Sequence, residues 1–171
     1  DPNAAVYWLA RMLDGGEDIE FIARRMVILA SEDVGLANPN ALLLATTTMD
    51  AIRMIGMPEA RIILSQCAVY LATSAKSNAS YLAINRAMAM VKQTGSLPVP
   101  LHLRNAPTQL MKELNYGSGY QYGHDFQGNF VQQDNLPEAM DGTGLYEPGN
   151  NSTEERTRAQ LREQWKGKYK Y

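Results

Sequence analysis

A chain of 171 residues with a formal net charge of −2 is long enough to bury a sizeable core, and we predict a single domain over residues 1–171. The near-neutral charge gives no overall affinity for nucleic acid or membranes, and the longest apolar runs are too short to span a bilayer. Basic residues nevertheless collect at the end of the chain. Residues 151–171 hold six Lys and Arg against three Asp and Glu, whereas residues 98–150 hold two against six.

The single cysteine, Cys67, lies in an apolar run, and we predict a core residue rather than a nucleophile because no histidine is near it in sequence. One thiol excludes an internal disulfide framework and is typical of a reducing compartment, so we expect a cytoplasmic protein. The chain starts at Asp1-Pro2 without an initiator methionine, which suggests a piece of a longer protein.

Two helices are predicted in the first 35 residues. An N-cap and a proline at the first helical position start the first helix at Asp1-Pro2, and Gly15-Gly16 ends it. The second helix runs from about Glu17 to Val34, and Glu20 precedes Arg24 by four residues on its outer face, which favours an intrahelical ion pair. The apolar face of the first helix comprises Ala5, Trp8, Leu9, Met12 and Leu13.

Three more helices follow with short connections, as in a helical bundle. Asn38-Pro39 repeats the cap-then-proline start of a third helix, whose apolar face comprises Leu42, Ala45, Met49, Ile52 and Ile55. The fourth is apolar nearly all round from Ile62 to Ala72, which is typical of a central, buried helix. Ser77 is the predicted cap of the fifth helix, and the side chains predicted to point inward are Tyr81, Ile84, Met88 and Val91.

Helical periodicity stops at Gly95. Pro98 and Pro100 favour extended backbone, Asn105 is a predicted cap for a short helix over residues 106–114, and residues 116–148 are predicted to be loop. Residues 149–171 form a basic terminal helix and tail that starts at a capping box, Ser152–Glu155. That helix has two apolar anchors, and we predict that a second subunit receives them: Leu161 and Trp165.

Both histidines fall in this irregular region, where His102, His124 and Asp125 could be proposed as ligands of a hydrolytic metal ion. The last two are adjacent rather than one helical turn apart, and no metal-binding helix motif accompanies them. No serine lies in a nucleophile elbow, and no phosphate-binding glycine loop is present. We therefore expect no catalytic, cofactor-binding or metal-binding residue in this chain.

Eight residues are candidates for contact with single-stranded DNA, because cationic side chains neutralise phosphates and tyrosine rings stack on unpaired bases. Other roles remain open: the arginine before the short helix pairs with carbonyls or an acid, the tyrosines pack a glycine-rich loop, and the tail is a solvated helix with interspersed glutamates. The candidates are Arg104, Lys112, Tyr120, Tyr122, Arg156, Arg158, Arg162 and Lys166.

A series of strings resembles the C-terminal part of the replication-associated recombination protein A family, the clamp-loader-like AAA+ ATPases related to the Werner helicase-interacting ATPase. These strings are Tyr7–Leu13, Phe21–Arg25, Ala30–Leu36, Ile55–Glu59, Lys76–Ala79, His102–Thr108, Leu110–Leu114, Gly119–Tyr122 and His124-Asp125. The resemblance covers the chain from its start to about Pro148.

This resemblance implies an all-α helical bundle, similar to a clamp-loader collar domain, that assembles the parent protein as a homotetramer. It implies that ATP and magnesium bind elsewhere in the parent, which would be a DNA-dependent ATPase of the cytoplasm and nucleoid. The implied partners are single-stranded or gapped DNA and single-stranded DNA-binding protein. We therefore expect an oligomerisation domain without catalysis, with a single-stranded DNA-binding module as the alternative.

Overall fold

The computed structural model describes residues 1–171 and contains seven α-helices, several short 3₁₀ turns and no β-strand, which confirms the all-α class. None of the helices combines the length and the apolarity needed to cross a membrane. The helices are α1 Pro2–Asp14, α2 Ile19–Leu29, α3 Asn40–Ile55, α4 Ala60–Thr73, α5 Ala79–Thr94, α6 Gln109–Glu113 and α7 Ser152–Trp165.

The backbone divides into two compact units. The first unit comprises Asp1–Ile84 together with Tyr146–Thr157, and the second unit comprises Asn85–Leu145 together with Arg158–Tyr171. Two of the three unit boundaries therefore fall within helices, α5 and α7, and the third lies between Leu145 and Tyr146. The single domain predicted from length stays a prediction.

The first unit is built around α4, which contacts α1, α2 and α3, so that the prediction of a central fourth helix is confirmed. One side of α4 places Leu64 and Ala68 in an apolar cluster with residues of the three other helices. Cys67 and Leu71 of the same helix belong to a second apolar cluster. The first cluster comprises Leu9, Ile22, Ala23, Met49, Ile52, Ala60, Leu64 and Ala68; the second comprises Ala30, Val34, Ala41, Ala45, Cys67 and Leu71.

Capping side chains begin the first two helices. Asp1 Oδ1 accepts the backbone N–H groups of Asn3 and Ala4 at 2.9 and 3.2 Å, as predicted, and Asp18 Oδ1 accepts that of Phe21 at 2.7 Å. The predicted side-chain cap at Asn38 is wrong. Its amide instead donates to the Tyr70 hydroxyl and the Ser74 hydroxyl of α4, at 3.0 and 3.1 Å, because α4 lies close enough to offer these partners.

The end of α2 departs from the predicted regular helix. Residues Ala30–Val34 form a π-helical turn, and Gly35 follows with φ +51°. A Cβ on Gly35 would lie 2.5 Å from the backbone carbonyl oxygen of Ser77, so this close approach of two chain segments requires glycine.

The intrahelical pair of Glu20 and Arg24 is also wrong. The Glu20 carboxylate binds Arg53 of α3 at 2.8 Å, because the neighbouring helix offers a two-nitrogen guanidinium contact. Arg24 lies over the ring of Phe21 instead, 5.9 Å from its centroid.

The predicted inward face of α5 is exposed. Tyr81, Ile84, Met88 and Val91 are 44, 55, 55 and 63% exposed. The partly buried positions of this part of α5 are Ala83, Ala87 and Met90. The positions turned away from solvent are therefore two alanines and Met90 rather than the four predicted residues. Other predicted inward residues that are more than a third exposed are Trp8, Met12, Leu42 and Ile55.

In the second unit, Pro100 has the extended backbone that the prolines predicted, and a short 3₁₀ turn follows at Leu101–Leu103. The predicted Asn105 cap is wrong, because the cap of α6 is Thr108, whose Oγ1 accepts the Met111 N–H at 3.3 Å. The helix is thus shorter than the sequence suggested, five residues over Gln109–Glu113.

Candidate interaction surfaces

A buried carboxylate organises the second chain segment of the first unit. Glu154 is 1% exposed. Its carboxylate accepts hydrogen bonds from Asn151 Nδ2 at 2.6 Å and from the Tyr146 hydroxyl at 3.2 Å, and also from the Ser77 hydroxyl and the Gly149 N–H. Burial raises the pKa of Glu154, but these four hydrogen bonds outweigh it and hold the pKa below its ordinary value. The carboxylate is therefore ionised and satisfied at neutral pH.

The cluster of Ser77, Tyr146, Gly149, Asn151 and Glu154, called here the Glu154 cluster, fixes the start of α7. Asn151 Oδ1 accepts the Glu154 N–H at 3.0 Å while Asn151 Nδ2 donates to the carboxylate, so these two residues form a reciprocal cap. The sequence prediction placed the capping box one residue later, at Ser152–Glu155. That register is wrong, because the asparagine amide supplies both a donor and an acceptor.

Further bonds attach this cap to the loops of the first unit. Thr153 Oγ1 donates to the carbonyl of Ala37 at 3.2 Å, and the Ser77 N–H donates to the carbonyl of Asp33 at 2.7 Å. The sequence signal that could have revealed the cluster is the Asn151-to-Glu154 spacing of a capping box. Nothing in the sequence indicates that Ser77, some 75 residues earlier in the chain, completes it.

Three of the six basic residues of the tail, Arg158, Arg162 and Lys168, are buried or bonded within the second unit. Lys168 bridges two carboxylates of the preceding loop, Asp134 and Asp141, and its Nζ lies 2.6 Å from Asp141 Oδ1. These contacts raise the pKa of Lys168, and the hydrogen bond from Lys168 lowers the pKa of Asp141. Arg162 Nε donates to the carbonyl of Tyr171 at 2.7 Å, and Arg158 is buried. The tail is therefore a folded element rather than an open row of cations, and its exposed basic residues are Arg156, Arg162, Lys166 and Lys170.

The two residues predicted to enter an oligomer interface differ in their surroundings. The Trp165 ring packs edge-on against Phe130 and Tyr169, with centroids 5.4 and 5.2 Å apart. Leu161 is half-buried on the same helix. α7 is therefore anchored by aromatic contacts of its own chain, and the place of Leu161 and Trp165 in an interface stays a prediction.

The tyrosine loop, residues 119–126, presents aromatic rings to solvent. Tyr120, Tyr122 and Phe126 are 59, 53 and 43% exposed, and the His124 ring lies 5.0 Å from that of Tyr122. The loop is held at its start because Gln133 Nε2 donates to the Gly119 carbonyl at 2.8 Å. Exposed rings on a held loop are the geometry that base stacking needs.

The other candidate DNA contacts near this loop are turned to local partners or to solvent. The Arg104 guanidinium lies over the Tyr116 ring at 4.9 Å, and its Nε donates to the Val99 carbonyl at 2.7 Å. Lys112 is exposed on α6. Arg104 thus makes the carbonyl contact that the sequence analysis gave as an alternative to DNA contact. Lys112 remains exposed to solvent.

The histidines and the cysteine have structural surroundings. His102 Nε2 lies 3.1 Å from Asn135 Oδ1, and His124 packs beside Tyr122. The structure brings no group of three His, Cys, Asp or Glu side chains into an arrangement that could hold a metal ion. Cys67 is fully buried, and burial raises the pKa of its thiol despite a hydrogen bond with Thr48.

The exposed residues of α5 include a regular apolar row. Tyr81, Ile84, Met88 and Val91 follow one another at spacings of three, four and three residues. This is the a/d pattern of a helix that pairs with another helix. We call these four side chains the α5 seam.

Residues 1–165 match the family model described as the C-terminal region of the MgsA AAA+ ATPases. The chain belongs to this family. A member named replication-associated recombination protein A, from Coxiella burnetii, is 49% identical over 162 residues, which are 94% of this chain and 37% of that protein. The protein of the same name from Escherichia coli K12 is 41% identical over 154 residues, which are 90% of this chain and 34% of that protein.

Similarity to the family extends to a eukaryote. A Dictyostelium discoideum protein named ATPase WRNIP1 is 45% identical over 148 residues, which are 86% of this chain and 17% of that protein. The chain thus spans about 17 to 40% of the length of the relatives that it matches. The family suggested by its sequence strings is confirmed.

Proposed function

We propose that this chain is the oligomerisation domain of an AAA+ ATPase that acts in DNA replication, recombination and repair at stalled forks or single-stranded gaps. Support comes from the family and from relatives named for replication-associated recombination. The parent would bind ATP and magnesium outside this chain, assemble as a homotetramer in the cytoplasm and nucleoid, and act with single-stranded DNA-binding protein.

The observation that carries the oligomerisation proposal is the α5 seam. In α5, Ala83, Ala87 and Met90 are partly buried, whereas Tyr81, Ile84, Met88 and Val91 are 44–63% exposed and lie in one a/d row. Burying the exposed half of each such side chain stabilises an assembly by about 1 kcal/mol. Because the a/d pattern is self-complementary, α5 of a second copy is the partner that fits it best.

The mass of the isolated chain in solution tests this proposal. Multi-angle light scattering after gel filtration at micromolar concentration is expected to give a particle near four times the 19.0 kDa of one chain. A monomeric mass across the micromolar range would overturn the oligomerisation role.

Substitutions on α5 test the surface. Ile84→Glu and Met88→Glu place a charge in the seam and are expected to shift the chain to smaller species, because an unpaired carboxylate is costly to bury. Gln93→Glu is the matched control, since Gln93 is exposed on the same helix but lies outside the seam. Retention of the full assembly by both seam variants would exclude α5 as the interface.

Single-stranded DNA binding is the second candidate function, and the tyrosine loop favours it. Stacking on an aromatic ring contributes about 1–3 kcal/mol per base, and the loop leaves three rings exposed. Exposed cations at Arg156, Arg162, Lys166 and Lys112 could neutralise phosphates, whereas the buried Arg158 would be a poor contact.

Fluorescence anisotropy with a labelled oligothymidylate tests this candidate. The double variant Tyr120→Ala/Tyr122→Ala is expected to weaken binding at least tenfold, and binding should fall with rising salt. Tyr7→Ala is the control, because Tyr7 is an equally exposed tyrosine of α1 in the first unit. Affinity that neither the loop variant nor salt changes would refute the DNA-binding role.

A further inference from the structure

A cavity of about 620 Å³ lies in the second unit, between the last turns of α7 and the segment that follows the tyrosine loop. This volume lies within the range of roughly 300–1,000 Å³ that is usual for ligand sites. Amide side chains line the cavity from both walls, together with one aromatic ring. The amides belong to Gln127, Gln132, Gln160 and Gln164, and the ring belongs to Phe130.

Both walls of this cavity are held by contacts of their own. Gln132 Nε2 donates to the Trp165 carbonyl at 3.4 Å, and the Phe130 ring packs edge-on against the Trp165 ring. A Cβ on Gly123 would lie 3.1 Å from the carbonyl oxygen of Asn129, so the tyrosine loop packs closely on the neighbouring wall. The cavity is therefore shaped by the fold itself and lies beside rings that are exposed for stacking.

Three of the four amides keep their hydrogen-bonding groups for a ligand. Gln160 and Gln164 are one helical turn apart and so share a face of α7. Neither makes a hydrogen bond within the chain, and Gln127 on the other wall makes none either. Each amide offers a carbonyl acceptor beside an NH₂ donor, so donor–acceptor pairs line the cavity from two sides.

The edges of an unpaired nucleobase match such amides. Adenine has its N6 amino donor beside an acceptor on both free edges, N7 on one and N1 on the other, so amides on two walls can bind a single base. The half-buried Phe130 supplies an apolar surface for the base. The two charged residues that line the cavity, Glu163 and Lys166, have opposite signs, so the cavity suits a neutral ring with a phosphate next to Lys166.

We propose that this cavity receives an unpaired adenine of a DNA single strand whose neighbouring bases stack on the tyrosine loop. Gln127 and Gln164 bind the edges of the base from the two walls, and Lys166 contacts the adjacent phosphate. This inference rests on the proposed binding of single-stranded DNA and adds a base preference to it. Stacking on tyrosine accepts every base, so a preference for adenine must come from the amides.

Two labelled strands test the preference by fluorescence anisotropy: an oligothymidylate, and the same strand with one central adenine. The chain is expected to bind the adenine strand about tenfold more tightly, in line with the discrimination that a bidentate base contact supplies. Equal affinity for the two strands would overturn this inference and leave general binding of single-stranded DNA intact. Binding of neither strand would refute the DNA-binding role, and this inference with it.

Substitutions then test whether the amides carry the preference. The double variant Gln127→Met/Gln164→Met keeps the length of both side chains but removes their hydrogen-bonding groups, and it is expected to bind the two strands equally. Gln93→Met, at an exposed glutamine of α5, is the matched control and should retain the tenfold difference. A double variant that still prefers the adenine strand tenfold would overturn the proposal.

Mononucleotides distinguish a base of a strand from a free nucleotide. NMR titration of the ¹⁵N-labelled chain with deoxyadenosine monophosphate is expected to shift signals of residues 127–132 and 160–166, including the glutamine NH₂ groups, at least tenfold more weakly than the strand binds. Deoxythymidine monophosphate should leave these signals in place. Shifts elsewhere only, or free deoxyadenosine monophosphate that binds as tightly as the adenine strand, would overturn the assignment.

Discussion

Glu154→Gln tests whether the hydrogen bonds of the Glu154 carboxylate stabilise the segment Tyr146–Thr157 in the first unit. The substitution keeps the shape of the side chain but replaces one carboxylate oxygen, an acceptor, with an NH₂ group, a donor. The hydroxyls of Tyr146 and Ser77 can rotate to accept from that group. The Asn151 amide cannot reverse freely, because its oxygen already accepts the Glu154 N–H at 3.0 Å. At least the asparagine and glycine donors therefore lose a charged acceptor.

The expected loss is about 2 kcal/mol. Hydrogen bonds to a charged group contribute about 1.5–3 kcal/mol and neutral ones about 0.5–1.5 kcal/mol, so converting four of them is costly. The glutamine amide, however, costs less to bury than a carboxylate, which offsets part of that loss. For a chain of this size the shift in Tm is roughly 4–8 °C. Glu154→Ala should cost about 4 kcal/mol, because it leaves buried donors without an acceptor and adds a cavity.

Urea and thermal unfolding followed by circular dichroism measure these losses. Protein concentration is held constant because assembly changes apparent stability. Glu163→Gln, at an exposed glutamate of the same helix, is the control and should change stability by less than about 0.5 kcal/mol.

The pH profile supplies an independent readout. Because the pKa of Glu154 is lowered in the folded protein, its contribution is present above the unfolded pKa of about 4.3 and is lost as pH falls through the folded value. The difference between wild type and Glu154→Gln should therefore shrink in acid. Equal stability of the two proteins at neutral pH, or a difference that persists unchanged to about pH 2, would refute the reasoning.

Three further substitutions follow from the packing. Gly149→Ala should cost about 1–3 kcal/mol by urea unfolding, because its Cβ would lie 2.8 Å from both the carboxylate and the serine hydroxyl of the Glu154 cluster; a neutral result would contradict that contact. Leu64→Ala, at a fully buried position of α4, should cost about 2–5 kcal/mol, and a loss below 1 kcal/mol would argue against a central α4. Arg53→Ala should cost less than about 1 kcal/mol, since its ion pair with Glu20 is solvent-exposed, and a larger loss would show that this pair is better shielded than its exposure indicates.

Much of the helical order follows from local chemistry that a sequence displays. Asp1 caps α1, the glycines after α1 and α3 lie where those helices end, and α4, which is apolar nearly all round, is central. Which face of α5 is buried could not be predicted in this way. Periodicity identifies an apolar face but not what covers it. In α5 the partly buried positions are Ala83, Ala87 and Met90, while Tyr81, Ile84, Met88 and Val91 stay exposed. The same helical spacing of apolar residues is favoured whether the face packs on the protein core or on a partner helix.

The polar contacts were missed for a different reason. Glu20 had a plausible partner four residues away, yet Arg53 binds it from α3. Lys168 is part of a basic run in the sequence. In the structure, however, Asp134 and Asp141 from the preceding loop neutralise its charge. Such pairs depend on which segments meet in three dimensions. Charge composition of a segment therefore overestimated how much of the tail is free to bind a phosphate.

Three of the strings that carry the family resemblance differ in their surroundings in the structure. Ala30–Leu36 and Lys76–Ala79 have a packing explanation, because the close approach at Gly35 and the bonds of Ser77 require their backbone and small side chains. In Gly119–Tyr122 the tyrosine rings stay more than half exposed on a loop that Gln133 holds at Gly119, and the Tyr122 ring has the His124 ring as a neighbour. Rings this exposed contribute less to the stability of the fold than buried rings do. Within the segment from Pro98 to Asp125, Tyr120 and Tyr122 are therefore the positions where substitution should affect binding before it affects stability.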